Sequence, residues 1–344
     1  MKKLFIITVS LITIASFACE QITPYKYTTR DREQGLPTYN IPPSSRFTTK
    51  RSDANAPDVV YYMSTPTQSP FPIAILCGGS SSKNDINSII HFHRYFLEEF
   101  LALRTAVLTV EQQGVDGGTI NADEFIDHYT RSARLLDHQT VINHLKTNPP
   151  TEWNGKLIFL GVSEGGPLVT TLTTQYSDIT VATINWAGTP GWSWRQELWA
   201  FMENLKTTIP WNVKLQMLLP GWAPFAVNFY MPDSKEEFDS VMDETIINPT
   251  TQKEFMGMSY KYHADALKDY PQPDYHNIKT PFLVVVGEQD TIIHSCDLFV
   301  QKAEEAGAPI TYLRIPDMNH YIRERPDVIA QSFEWLKTLL NNKF

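Results

Sequence analysis

The stretch Gly161-Val162-Ser163-Glu164-Gly165-Gly166 follows the apolar run Leu157–Leu160 and precedes Pro167-Leu168-Val169-Thr170-Thr171-Leu172. A buried-type strand that turns at once into a helix leaves few folds open. The corner between the two is crowded and strained, and residues without a Cβ pass through it at least cost. A serine at the apex has its hydroxyl held clear of the backbone, at the N-terminus of a helix whose dipole favours negative charge nearby. That is how a serine is prepared to act as a nucleophile. The bare Gly-x-Ser-x-Gly pattern is common by chance. Its place between strand and helix gives it weight.

Around this corner the chain alternates. Val59–Met63, Pro72–Cys77, Ala106–Val110, Leu157–Leu160, Ile179–Trp186, Phe282–Val286 and Ile310–Ile315 read as strands. Ile86–Leu103, Glu124–Lys146, Pro167–Tyr176, Cys296–Ala306 and Asp327–Asn341 carry helical periodicity between them. All-apolar strands in such alternation predict an α/β fold, a mostly parallel sheet with helices on both faces. The rhythm breaks once, at about 187–278, which has helical periodicity without a buried strand and contains Trp192, Trp194, Trp199, Trp211 and Trp222. An insertion there sits over the carboxyl ends of the strands, where open α/β sheets bind ligands. It reads as a helical cap whose tryptophans either offer apolar surface to an acyl or aromatic substrate or form the cap's own core.

The N-terminus is read apart from the fold. Lys2-Lys3 lead into the apolar run Leu4–Ala15 and then Ser16-Phe17-Ala18-Cys19. A basic start, an apolar core too short to span a bilayer and small residues before a cut site describe a signal peptide over residues 1–18. Cys19, directly after the cut, suits acylation as in a bacterial lipoprotein, and the alternative is a soluble exported protein. Either reading puts the chain in the periplasm, on the envelope or outside the cell, with membrane anchoring only through a Cys19 lipid. Residues 19–57 are rich in Thr, Pro, Ser and charge and read as a tether followed by irregular or edge-strand structure. Cys77 and Cys296 lack metal-ligand spacing and are expected as two buried free thiols. Removing Lys2 and Lys3 from 29 basic residues leaves 27 against 38 acidic ones, a net charge near −11 that argues against nucleic acid.

Serine attacks only when a base takes its proton, and the base needs an acid to fix its tautomer. Chain order Ser, then Asp or Glu, then His is expected on an α/β sheet. Val284–Asp290 places Asp290 just beyond a buried strand, and Leu313–His320 does the same for His320. Glu288 and Asp317 are the fallback acids. The developing oxyanion needs N–H donors: Glu164, next to the serine, and Gly79 or Ser80 in the loop after Pro72–Cys77. Glu164 itself reads either as a first-turn carboxylate favoured by the helix dipole or as a group that meets a substrate amine. His91 and His93 point to different faces of a helix and do not form a metal pair.

These parts, namely Gly161–Gly166, Gly287–Asp290, Asn319-His320 and the Cys77-Gly78-Gly79 turn, resemble a serine hydrolase of the α/β-hydrolase superfamily. The resemblance covers roughly residues 58–342, with 187–278 as the cap. Gly-x-Ser-Glu-Gly-Gly is similar to turns in the serine aminopeptidase-like and the bile-acid-transferase/thioesterase-like branches. Cys77-Gly78 departs from the His-Gly that commonly precedes the oxyanion loop, which leaves the second donor open. The resemblance implies acyl transfer to water from an ester, thioester or amide, with no metal and no organic cofactor. Ser163 would be the nucleophile, His320 the base, Asp290 its partner, and the Glu164 and Gly79 amides the oxyanion donors. A peptidase, an acyltransferase or a non-catalytic ligand-binding lipoprotein are the alternative functions. The expected partner is a small ester or acyl substrate, hydrophobic if the tryptophans line its site.

Overall fold

Alternate residues of the central strands face opposite apolar layers, and this fixes the architecture. In a computed structural model, which describes residues 46–82, 85–208, 232–268 and 273–341, Ile158 and Leu160 pack with Phe96, Phe100, Phe333 and Leu336. Leu157 and Phe159, one residue out of phase, pack with Val141, Ile142, Leu145, Leu168, Val169 and Leu172. A strand segment buried on both faces must be apolar, as Leu157–Leu160 is. Each large side chain fully buried there contributes about 1.5–3 kcal/mol of hydrophobic stabilisation. The chain divides into Met1–Asn40 and Ile41–Phe344. The signal peptide, Cys19, most of the tether, Trp211 and Trp222 lie outside the described residues.

The described residues form an eight-stranded sheet. Its strands are β1 (Arg46–Thr49), β2 (Val59–Ser64), β3 (Phe71–Cys77), β4 (Ala106–Val110), β5 (Trp153–Val162), β6 (Thr180–Trp186), β7 (Phe282–Gly287) and β8 (Ile310–Ile315). Their spatial order is β1-β2-β4-β3-β5-β6-β7-β8. Only the β1–β2 and β2–β4 pairs are antiparallel; the remaining pairs are parallel. This is the α/β-hydrolase fold. Val162 pairs with Trp186, Trp186 with Val285, and Gly287 with Ile315, so the carboxyl ends of β5 to β8 finish at one level.

The helices are α1 (Ile90–Tyr95), α2 (Leu97–Ala102), α3 (Ala122–His128), α4 (Arg131–Thr147), α5 (Gly165–Gln175), α6 (Trp194–Thr208), α7 (Lys235–Ile247), α8 (Tyr260–Lys268), α9 (Ile293–Glu305) and α10 (Pro326–Asn341). Two predicted helices are broken. Ile86–Leu103 becomes α1 and α2, separated at Phe96. Glu124–Lys146 becomes α3 and α4, because Tyr129 and Thr130 are extended and the Thr130 hydroxyl accepts the Ala133 N–H at 3.1 Å as an N-cap.

Between β6 and β7 lie α6, α7, α8 and a short hairpin, Glu254–Phe255 with Met258–Ser259. The hairpin corrects the expectation of no buried strand, since Phe255 is buried in it. Met256 and Gly257 both take positive φ, as a two-residue turn of this kind requires. Leu198, Met202, Phe238, Met242, Phe255 and Tyr260 form the insertion's own cluster, with Trp194 and Trp199 packed against it. Helix α8 meets the sheet domain through Tyr262, stacked on Tyr129 at 5.3 Å between ring centroids, and through Asp265, which accepts the Ser132 N–H at the start of α4 at 3.0 Å. Cys77 and Cys296 are buried free thiols.

Three histidines are sealed into this packing. His93 contacts the Thr109 hydroxyl at 2.9 Å and the Ser64 hydroxyl at 3.0 Å. His138 donates to the Arg134 carbonyl at 2.7 Å, and His263 lies between Trp194 and the Phe255 carbonyl. Burial lowers His93 to about 3 and His138 and His263 to about 4. The unfolded chain binds a proton at each site near pH 6.5, the ordinary histidine value, which the native state refuses until much lower pH. Their contribution is complete above that value and is lost as pH falls, by about 1.4 kcal/mol per pH unit for each. In urea titrations between pH 6 and pH 4, His93→Gln is expected to make the pH slope of stability shallower by about 1 kcal/mol per unit.

Candidate active site

Ser163 follows the last residue of β5 and precedes α5. Its φ is 52°, in the left-handed region, which costs a residue with a side chain about 1–2 kcal/mol. Two backbone bonds hold it there. The Ser163 N–H donates to the Trp186 carbonyl at 2.9 Å, and the Gly166 N–H donates to the Ser163 carbonyl at 2.8 Å. Strained backbone at this corner is expected of the glycines. The structure assigns it to the serine, and the glycines serve close approach instead. A Cβ on Gly165 would lie 2.0 Å from the Cys77 carbonyl oxygen, so the turn is pressed against the end of β3.

Asp290 stands just beyond β7 and His320 just beyond β8. The two loops touch through backbone: Gln289 N–H donates to the Met318 carbonyl at 3.0 Å, and a Cβ on Gly287 would lie 2.0 Å from the same oxygen. His320 Nδ1 is 2.8 Å from Asp290 Oδ2, and His320 Nε2 is 3.0 Å from Ser163 Oγ. The carboxylate fixes the tautomer. With the proton on Nδ1 the ring donates to Asp290, and Nε2 is left to accept from the serine hydroxyl. The Asp290 side chain is fully buried while that of His320 is 35% exposed, and Asp290 Oδ1 accepts the Ile292 N–H at 3.2 Å. A buried acid, a half-exposed base and a hydroxyl in one hydrogen-bonded line can pass a proton from oxygen to nitrogen and back.

The fallback acids are elsewhere. Glu288 is half exposed and 3.4 Å from Arg314, and Asp317 is an exposed turn residue with φ 55°. Gly79 lies against the serine: a Cβ there would be 3.4 Å from Ser163 Cβ and 3.9 Å from Oγ. The loop after β3 therefore runs beside the hydroxyl at Gly79.

Glu164 is where sequence reasoning fell short. It stands at the start of α5, where a first-turn carboxylate is expected, but it is not open to a substrate amine. It is buried, with Arg131 Nε 3.6 Å from Oε1, Arg134 Nη1 3.3 Å from Oε2 and the Tyr129 hydroxyl donating to Oε2 at 2.7 Å. Burial alone would raise its carboxyl, but Arg134 and Arg131 outweigh burial and hold it below the usual carboxylate range. The available signal was chemical: an acid flanked by a strand and an apolar helix needs a countercharge, and Arg131 and Arg134 share one face of α4. Glu111, just past β4, is another buried acid. Burial raises it to about 7, although Ser88 Oγ and the Ile89 and Gly117 N–H groups donate to it.

The contact between Gly165 and Cys77 leads to a direct expectation. Gly165→Ala forces the turn off β3, which overpacking of this kind penalises by about 2 kcal/mol or more. Thermal melts should show that loss, and the Ser163–His320 line should open with it.

Residues 76–332, well over half of the chain, match the alpha/beta hydrolase family. No curated protein matches the chain. Among solved structures, the proline iminopeptidase of Mycobacterium smegmatis is 17% identical, covering 87% of this chain and 100% of that one at a TM-score of 0.55. A structure from work on carboxylesterases of the thaumarchaeon Nitrososphaera gargenis is 15% identical, covering 85% and 99% at 0.51. Brefeldin A esterase, a bacterial homologue of human hormone sensitive lipase, is 11% identical, covering 86% and 75% at 0.51. At these identities the structures share the fold alone. Together with the sheet order, the family match establishes that this chain belongs to the alpha/beta hydrolase family.

Proposed function

We propose that the protein is an exported serine hydrolase that cleaves an ester through an acyl-enzyme on Ser163, His320 and Asp290. The observation that carries the reading is the line from Asp290 through both ring nitrogens of His320 to Ser163 Oγ, at 2.8 and 3.0 Å. His320 Nε2 takes the hydroxyl proton as Oγ attacks the carbonyl carbon. The negative charge that develops on the carbonyl oxygen is held by the Glu164 and Gly79 amides. His320 then gives its proton to the departing alkoxide, and the acyl group stays on Ser163. Water enters, loses a proton to the same nitrogen and attacks the acyl carbon. Collapse of the second tetrahedral intermediate frees the carboxylic acid and returns the proton to Ser163.

Ester is favoured over peptide because Glu164, the acid next to the nucleophile in the chain, already serves Arg131 and Arg134 and is not available to a substrate ammonium. Residues 187–278 act in this reading as a cap within a hydrolase domain at 58–342, and the substrate is a small acyl ester. Export rests on the signal-like residues 1–18, and anchoring rests on a lipid at Cys19.

A fluorophosphonate probe is expected to label the protein and to lose its target in Ser163→Ala with the fold intact. Nitrophenyl esters should turn over faster than aminoacyl-arylamides, and Asp290→Asn should lower kcat by about 10³–10⁴ through the wrong histidine tautomer. A folded protein that never labels overturns the reading in favour of a non-catalytic binder. For the anchor, Cys19→Ser should move the protein from the membrane fraction to the soluble fraction; unchanged partition removes the lipid.

A further inference from the structure

The two donor segments of the oxyanion site, the loop after β3 and the turn after β5, are far apart in the chain, yet one carboxylate in the turn is linked to the loop through two bridging side chains. Glu164 belongs to the turn. Its Oε2 accepts from the Tyr129 hydroxyl at 2.7 Å, and that same hydroxyl accepts the Ser81 N–H at 2.9 Å. Arg134 Nη1 is 3.3 Å from Glu164 Oε2, while its Nη2 donates to the Gly78 carbonyl at 2.7 Å. Gly79, the residue beside Ser163, therefore sits between two anchored neighbours, Gly78 held through its carbonyl and Ser81 through its amide. Both anchors end on one group.

Tyr129, Arg134 and Glu164 are all buried. A buried ion pair is a weak source of stability, since apolar residues of the same volume often serve as well or better. What it supplies is geometry. Charge-assisted bonds tolerate little displacement, and a lost partner is costly in a low-dielectric interior. The anionic state that the clamp needs is the one the two arginines favour. Its placement fits the task, because an oxyanion site gains from donors fixed before the charge develops.

We propose that Glu164, Tyr129 and Arg134 are positioning residues that set the Gly79 amide at its distance from the Glu164 amide, through a Tyr129 bridge to Ser81 and an Arg134 bridge to Gly78. This rests on the acyl-enzyme reading above and adds to it the group that holds the second donor in place. None of the three side chains needs to touch substrate. They act through the loop.

Glu164→Gln removes the carboxylate that the buried Arg134 faces at 3.3 Å and is expected to fold poorly, so it does not make the test. Tyr129→Phe does. It removes one hydroxyl and keeps the ring that stacks on Phe125 at 4.8 Å and Tyr262 at 5.3 Å. The measurement is steady-state turnover of a short-chain nitrophenyl ester, normalised to sites titrated with a fluorophosphonate. Affinity for a trifluoromethyl ketone, which mimics the tetrahedral oxyanion, is measured beside that for the corresponding alcohol. Loss of a whole oxyanion donor lowers kcat about 10²–10³-fold, and a loosened donor should show a smaller loss. The expected result is a fall of about 10- to 100-fold in kcat per titrated site, with KM within about threefold. Ketone affinity should weaken in parallel, and alcohol affinity should not change.

A merely structural role would lower the melting temperature and the titratable fraction while leaving kcat per site and the ketone-to-alcohol ratio unchanged. That result, or a fall in kcat per site below threefold, overturns the clamp while the acyl-enzyme reading stands. A wild-type protein that neither labels nor turns over ester removes both.

Discussion

Between the end of β3 and the turn after β5 there is no room for a side chain. Gly165 faces the Cys77 carbonyl at a distance where a methyl group would overlap it, and this contact orders much of what surrounds it. It brings the loop that begins at Gly78 alongside Ser163. It leaves the strained backbone to the serine, because the neighbouring glycines are committed to closeness. The strain is paid for by packing of β5 against β3 and β6, which is buried on both faces. Parallel strands ending at one level then present the loops of Asp290 and His320 to the same place.

Electrostatics follows from that crowding. An acid in a turn pressed between a strand end and an apolar helix has no access to water, so charge must come from within the fold. Arg131 and Arg134 supply it from α4, and Tyr129 supplies a hydroxyl from the break before α4. Arg131 also lies over the Trp194 ring, 4.4 Å from its centroid. The cluster beneath the proposed nucleophile is thus continuous with the insertion between β6 and β7, and the sheet domain and insertion meet through charge and aromatic faces as well as apolar contact.

The central strands β3 to β7 were legible because each holds a short buried apolar run, and runs of that length bounded by turn residues favour a strand. Asp290 and His320 were legible from order and from their positions just past strand ends, which parallel topology converts into proximity. The partners of Glu164 were not, since nothing in local pattern says which distant arginine will meet a given acid. The interruptions at Phe96 and Tyr129 were also hidden, because apolar periodicity continues across both; only the capping hydroxyl of Thr130 marks the second. The Met256-Gly257 turn escaped for a related reason. It lacks the Asn-Gly or Asp-Gly pair that usually announces a hairpin of that length.

The interruption between α3 and α4 has an effect on how this region can vary in length. A helix turns by about 100° with each residue, so in an unbroken rod one added residue upstream would swing every later side chain around the axis. Here the extended pair Tyr129-Thr130 absorbs such a change. Length can drift within Ala122–His128 without altering the phase of the two guanidinium groups, whereas a single insertion between Arg131 and Arg134 would rotate one of them away from its carboxylate.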